Sequence, residues 1–363
     1  MAKTRKLIAA AAASIAALSA CSETELTDTA LADKVVEWQI TNFSDSTLAK
    51  NHWANAALYK GMAVWALETD DDRIWEFLKG IGEDCDWDML DRVYDADDLC
   101  IGQTYFALYE KYGDPNMIAK VRERVKYIME NPDNGPLLTP KGKYSRTRWG
   151  WCDALFMAPP VYAELAALDG DPEYLDFCWQ EFTVTTDSLF STEDHLYHRD
   201  LTLVNDREQN GEKVFWARGN GWVYAALAIM METVPQDHPS YEYYRNLYLM
   251  MTEPIVRCQD ENGSWHSGMY DPGHWNTPEN SASGFFVYGL AWGVNHGLLT
   301  APEYKDAALK GWKALRSYVH EDGKLGYVQA IGHDPAMTSP DETMPYGVGA
   351  FLLAASEIIR MAD

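Results

Sequence analysis

Several features are scarce in this chain, and each scarcity closes off a class of protein. Lysine and arginine number 30 against 55 aspartates and glutamates, a net charge of −25 over 363 residues. Phosphate backbones would be repelled, so no nucleic-acid partner is expected. Past Cys21 only Cys85, Cys100, Cys152, Cys178 and Cys258 remain. An odd number at irregular spacing makes no disulfide framework, and buried thiols are the simpler reading. There is no C-x-x-C or H-E-x-x-H pattern, so neither a metal nor another cofactor is expected. No Pro/Gly/Ser-rich stretch divides the chain, and sustained alternation of apolar and polar residues is rare.

The first residues carry an address. Met1-Ala2-Lys3-Thr4-Arg5-Lys6 is a positive n-region, Leu7 to Leu18 an apolar h-region, and Ser19-Ala20-Cys21 a small-residue cleavage site. Leu18-Ser19-Ala20-Cys21 also resembles a bacterial lipobox, which would make Cys21 the lipidated first residue of the mature chain; a plain secretory signal is the alternative. The expected organisation is a signal over residues 1–20, a polar tether over 21–30 and one folded domain over 31–363. The lipid anchor would hold that domain to a membrane of a Gram-negative cell envelope, with no obligate protein partner.

From Leu31 onward apolar residues recur at three and four positions, the helical period. Twelve helices are predicted: 31–41, 53–68, 72–81, 96–112, 115–130, 153–169, 172–189, 219–234, 241–258, 281–295, 302–319 and 346–361. Tyr112-Gly113-Asp114-Pro115, Leu168-Asp169-Gly170-Asp171-Pro172 and Leu299-Thr300-Ala301-Pro302 each end one helix and open the next with proline in its first turn. Twelve helices make six helical hairpins, the pattern of an all-α barrel with an inner and an outer ring; an open solenoid is the alternative. Three inserts, 131–151, 190–218 and 261–280, precede inner helices and carry aromatic, His and Arg residues. That is where functional loops on a rigid scaffold belong.

The most informative stretch runs from Arg148 to Pro160, where Asp153 lies among tryptophans and a thiol before an apolar helical run. Burial there would raise its pKa, while a helix N-terminus would lower it, so the sign stays open. Asp95-Ala96-Asp97-Asp98 precedes a second such run. If both helix starts face one mouth, paired carboxylates result, suited to acid catalysis on a carbohydrate; a helix cap is the bland reading of each. In Phe215-Trp216-Ala217-Arg218-Gly219-Asn220-Gly221-Trp222, Arg218 offers a fork for a carboxylate and the glycines allow close backbone approach. The indoles suit a sugar's apolar face, although tryptophan at helical spacing is more often core. His198, with His195 competing, is a further candidate. Glu261 to His266 reads as a hairpin turn, Glu279 to Gly284 as a helix start, and Tyr59 as core with a remote chance of reaching the site.

Four blocks together resemble glycoside hydrolase family 105, the unsaturated rhamnogalacturonyl and related uronyl hydrolases. They are Asp97 to Tyr105, Trp151 to Pro159, Trp216 to Trp222 and Ser281 to Phe286, in order and across the chain. The resemblance implies an (α/α)6 barrel that acts on a uronic acid with a double bond between carbons four and five. A carboxylic acid protonates carbon four, water adds at carbon five, and the resulting hemiketal opens to release the aglycone. It further implies Asp153 as acid and base, with Asp97 coupled to it and Asp98 as rival to Asp97. Arg218 and His198 would contact the substrate. Trp151, Trp216, Trp222 and Met157 would shape the pocket, beside the close backbone approach already read at Gly219.

The substrate is left open between unsaturated galacturonate on rhamnose, from pectin, and unsaturated glucuronate on sulfated rhamnose, from ulvan; the acidic composition tilts toward the marine case. Glycosaminoglycan fragments are a second possibility. A non-catalytic sugar-binding lipoprotein, which would have no need of Asp153, is a third.

Overall fold

The structure, a computed structural model, describes residues 26–43 and 48–362. The signal segment and Cys21 lie outside the described residues. Fourteen helices are present among them: α1 (Asp28–Thr41), α2 (Trp53–Thr69), α3 (Asp72–Asp84), α4 (Ala96–Leu99), α5 (Gly102–Tyr112), α6 (Asn116–Glu130), α7 (Ala154–Met157), α8 (Pro159–Asp169), α9 (Glu173–Leu189), α10 (Ala217–Thr233), α11 (Pro239–Arg257), α12 (Asn280–Asn295), α13 (Pro302–Ser317) and α14 (Pro345–Ala362). A two-stranded antiparallel pair, β1 (Phe190–Ser191) and β2 (Leu196–Tyr197), is the one sheet described.

The ring closes. α2 packs on α5, α5 on α8, α8 on α10, α10 on α12, α12 on α14, and α14 back on α2. Each has an outer partner: α3, α6, α9, α11 and α13 lie against the inner helix that precedes them, and α1 lies against α14. The sixth hairpin is therefore made from the two ends of the chain. Inner helices are buried almost all round, as α10 and α12 show, whereas outer α3 and α6 bury one stripe. Where α2 meets α14 the backbones touch: a Cβ on Gly61 would stand 2.2 Å from the Gly349 carbonyl oxygen. Only glycine permits the last inner helix to dock this closely on the first.

Two expectations needed correction. The helices over 96–112 and 153–169 are each broken, leaving the one-turn helices α4 and α7 ahead of α5 and α8. At the second break Pro159 and Pro160 supply no amide hydrogens and push Ala158 out of regular geometry, to φ −96°. At the first, Cys100 and Ile101 run in tight i→i+3 bonds, Gln103 N to Cys100 O at 3.2 Å and Thr104 N to Ile101 O at 3.0 Å. The tether also ends sooner than residue 30. Asp28–Ala30 belong to α1, which Thr27 caps, and Asp28 accepts the Trp312 indole N–H at 2.8 Å from α13.

Candidate active site

The two short helices pack against each other. Asp153 and Asp97 thereby line one cavity of about 390 Å3, together with Trp151 and Met157. Long connections wall it: residues from 144 to 151 come from one expected insert, and Ile331, Gly332 and His333 from a fourth, between α13 and α14, that sequence reasoning had not singled out.

Neither aspartate is spent on capping. Asp153 occupies the N-cap of α7 but makes no side-chain cap hydrogen bond. At α4 the capping residue is Asp95, whose side chain accepts the Asp97 amide at 3.2 Å. Asp98 is excluded as the partner: it is 1% exposed and held by Arg92, whose backbone amide and guanidinium donate to it at 2.8 and 2.5 Å. Asp97 alone of that pair reaches the cavity.

Burial pushes the Asp97 carboxyl up to about 7, with repulsion from Asp95 next, Arg92 opposing, and Asp153 adding to the rise. Burial likewise holds Asp153 above the usual carboxylate range, against Arg218, the Cys152 thiol and Arg199. The sign left open by the sequence is thus upward, since a single helical turn offers little dipole against desolvation. Two carboxyls that resist ionisation and repel each other can retain a proton near neutral pH and deliver it.

Gly219 sits at the start of α10, and its role is room. A Cβ there would lie 3.0 Å from Cys152 Sγ and 3.3 Å from Asp153 Oδ1. Arg218, expected to grip substrate, is 1% exposed and does not line the cavity. Its Nη1 donates to the carbonyls of Gln329 and Ala330 and to the Tyr346 hydroxyl, and the guanidinium lies over the Trp216 ring at 4.3 Å. It acts on Asp153 by charge from beneath the floor.

Other candidates part company. Trp151 stands in the wall, with Arg199 over its ring at 4.5 Å and the His333 edge at 5.5 Å, and Met157 lines the floor. Trp216 and Trp222 are buried and do not line the cavity: the Trp216 indole donates to Gln329 at 3.0 Å, and Trp222 packs on Phe285 at 4.3 Å. His198 is 6% exposed, stacks on Phe215 at 4.7 Å, and does not line the cavity. The rival His195 is a left-handed residue, φ 55°, at the β1–β2 turn. Tyr59 is wholly buried and its hydroxyl donates to the Lys50 carbonyl. Gly221 approaches Phe285 and Ala282 of α12, so its closeness serves helix packing and not a ligand.

Sequence reasoning missed Arg92, Arg146 and His52. They line the cavity; Arg92 is already paired with Asp95 and Asp98, which leaves Arg146 as the cation of the two more open to an incoming anion. Arg92 was legible in part, standing three residues before Asp95 and six before Asp98. Arg146 pairs with Asp95 at 3.5 Å while staying 58% exposed. Burial, followed by the charge of Arg92, lowers the His52 pKa. Among the described residues no group of three or more His, Cys, Asp or Glu could hold a metal.

Comparison with known proteins bears on the family and the fold. Residues 31–362 match the family model described as Glycosyl Hydrolase Family 88. The chain is 37% identical over 356 residues to an unsaturated 3S-rhamnoglycuronyl hydrolase of Alteromonas sp. strain LOR, covering 92% of this chain and 86% of that one. A protein of the same name from Formosa agariphila is 34% identical over 340 residues, covering 91% and 90%. Among solved structures, one titled Polysaccharide Lyase BACCELL_00875 superposes with TM-score 0.83 at 31% identity over 92% of this chain and 97% of that one. A glycosyl hydrolase family 88 protein from Bacteroides vulgatus superposes with TM-score 0.80 at 28% identity over 91% and 99%. A possible family 105 member from Salmonella enterica shares the fold, with TM-score 0.77 at 19% identity over 94% and 96%. With nearly its whole folded length matched, the chain belongs to Glycosyl Hydrolase Family 88 and is a glycosidase with an (α/α)6 barrel.

Proposed function

We propose that this protein removes the 4,5-unsaturated uronic acid from the non-reducing end of lyase-generated oligosaccharides in which that sugar is linked to rhamnose, those from ulvan in the first place. The carrying observation is that Asp153 and Asp97 share one cavity, with the Asp97 carboxyl pushed up to about 7. The substrate class is supported by two relatives named for 3S-rhamnoglycuronyl substrates.

In the proposed reaction the double bond is an enol ether, its electrons supplied by the ring oxygen. The Asp153 carboxyl gives its proton to carbon four, leaving an oxocarbenium ion spread over carbon five and the ring oxygen. Water adds at carbon five and its proton passes to the carboxylate, which restores the acid. The hemiketal then opens, releasing the aglycone alcohol and a keto-uronate. Asp97 and Asp153 disfavour each other's charge, so the pair retains a proton near neutral pH and the acid form is available before the first step. Arg92 and Arg146 supply cations for the uronate carboxylate, and Trp151 a ring face for the sugar.

Incubation of the chain from residue 22 onward with lyase-treated ulvan, pectin and chondroitin tests the reading through loss of the ultraviolet absorbance of the conjugated enol acid. The ulvan pool should bleach first, and Asp153→Asn should abolish the effect while sugar binding persists. Bleaching of the chondroitin pool alone would move the substrate to glycosaminoglycans. Unchanged turnover in Asp153→Asn would remove that residue from the chemistry.

The same proposal places the protein on a membrane of the cell envelope through lipid on Cys21. It rests on Leu18-Ser19-Ala20-Cys21 after an apolar run. Cys21→Ser should release the protein from the membrane fraction, and retention there would refute the anchor.

A further inference from the structure

A carboxyl that must hand over a proton has two oxygens, and the surroundings of Asp153 treat them differently. Oδ1 is engaged. The Cys152 thiol donates to it at 3.3 Å, and the same oxygen lies 3.3 Å from where a Cβ on Gly219 would be. Cys152 is wholly buried, and its backbone amide is pinned to the Arg199 carbonyl at 2.8 Å, so the thiol has a fixed origin. Among the described residues Cys152 is the one side chain that donates to the Asp153 carboxyl, beside the backbone amide of Asp153 itself.

We propose that Cys152 is a positioning residue: its S–H keeps Asp153 Oδ1 as a permanent acceptor, which leaves Oδ2 as the oxygen that carries the transferable proton into the cavity. The inference rests on the reading of Asp153 as the acid. Burial and the adjacent Asp153 charge push the Cys152 thiol far above its ordinary range, so it stays a donor at every working pH. An oxygen that already accepts S–H is the poorer place for a second proton. The carboxyl proton therefore goes to Oδ2, and proton return from water uses the same oxygen. A donor to a carboxylate also favours its charged form, so the thiol holds the proton affinity of Asp153 below what burial alone would set. Cys152 forms no bond with substrate and changes no oxidation state.

Cys152→Ala removes the donor and Cys152→Ser keeps one. With Cys152→Ala the basic limb of the kcat/KM profile should move to higher pH, by about threefold in apparent proton affinity, the effect of a hydrogen bond of ordinary net strength. KM should change little, and Cys152→Ser should return the limb toward its original place. A Cys152→Ala profile that is scaled down uniformly with its limb unmoved, or a Cys152→Ser limb displaced as far as the alanine variant's, overturns the proposal. Should Cys152→Ala not fold, infrared difference spectra of the wild type against Asp153→Asn decide instead. The S–H stretch should shift as Asp153 titrates in the wild type and stay fixed in the variant, and a stretch that ignores pH in both refutes the bond. The two readings fail separately: an active Asp153→Asn removes the acid, whereas an inactive one with an unmoved Cys152→Ala limb removes only the thiol's role.

Discussion

Asp95 Oδ1 accepts the backbone amide of Asp97 at 3.2 Å, so the residue that caps α4 is the one two places before the residue that faces the cavity. The division of labour continues on the other oxygen. Asp95 Oδ2 meets Arg92 at 2.5 Å and Arg146 at 3.5 Å. One buried carboxylate thus sets the helix turn, places two cations at the cavity, and repels the charge of its neighbour. Asp95→Asn should lower the proton affinity of Asp97 and loosen both arginines. The expected outcome is a kcat/KM optimum displaced to lower pH with KM raised by about tenfold, read from pH-rate profiles; an unmoved optimum would assign Asp95 to capping alone.

The raised Asp97 group makes a stability prediction whose sign follows from linkage. The folded state binds this proton more tightly than the unfolded state, so folding is penalised as pH rises from the ordinary carboxylate pKa, about 3.9, through about 7. Asp97→Asn has no charge to bury. Its melting temperature should match the wild type near pH 4 and exceed it at pH 8, while turnover falls by about 10² or more. Scanning calorimetry at both values checks this, and a variant less stable at pH 8 would contradict it.

Gly219→Ala asks how little space the acid has. The added methyl would meet Cys152 Sγ at 3.0 Å and Asp153 Oδ1 at 3.3 Å. Overpacking of this kind costs about 1 to 3 kcal/mol, and displacing the acid should lower kcat by about 10- to 100-fold with KM nearly constant. Denaturant unfolding beside steady-state kinetics separates the two losses.

Arg218→Met tests the corrected role of that arginine. If it gripped substrate, KM would rise and stability would hold. Its burial and its bonds to Gln329, Ala330 and Tyr346 predict instead a loss of about 2 to 4 kcal/mol. Because Arg218 is the strongest opponent of burial at Asp153, the basic limb of the pH profile should also move upward. A product titration that weakens in proportion to kcat/KM, with unchanged unfolding, would restore the binding role.

Much of this was legible in one dimension. Apolar spacing of three and four, ended by Gly-Asp-Pro turns, located the barrel helices because helix periodicity and proline geometry are local properties. Asp153 and Asp97 stood out for a local reason as well, since each is an acidic residue at the edge of an apolar run. What stayed hidden depends on side-chain direction. In the run from Phe215 to Trp222 the helical turn sends Trp216, Arg218 and Trp222 into the core and only Gly219 beside the acid, a choice no tally of residue types reveals.

The chain by itself determined the helical segments, their pairing into hairpins, and which carboxylates sit at helix starts, because each follows from the conformational limits of neighbouring residues; the breaks that turn twelve expected helices into fourteen, and the closure of the ring, came with folding. Folding alone decided that Asp95 caps while Asp97 faces the cavity, 3.8 Å from Arg92, that Asp98 is held by Arg92, that His198 and Tyr59 face inward, and that a loop near the C-terminus brings His333 to residues almost two hundred positions earlier. The physical reason is desolvation. A carboxyl becomes a proton donor at neutral pH through what the closed ring places around it, and that surrounding is assembled from segments with no memory of one another along the sequence.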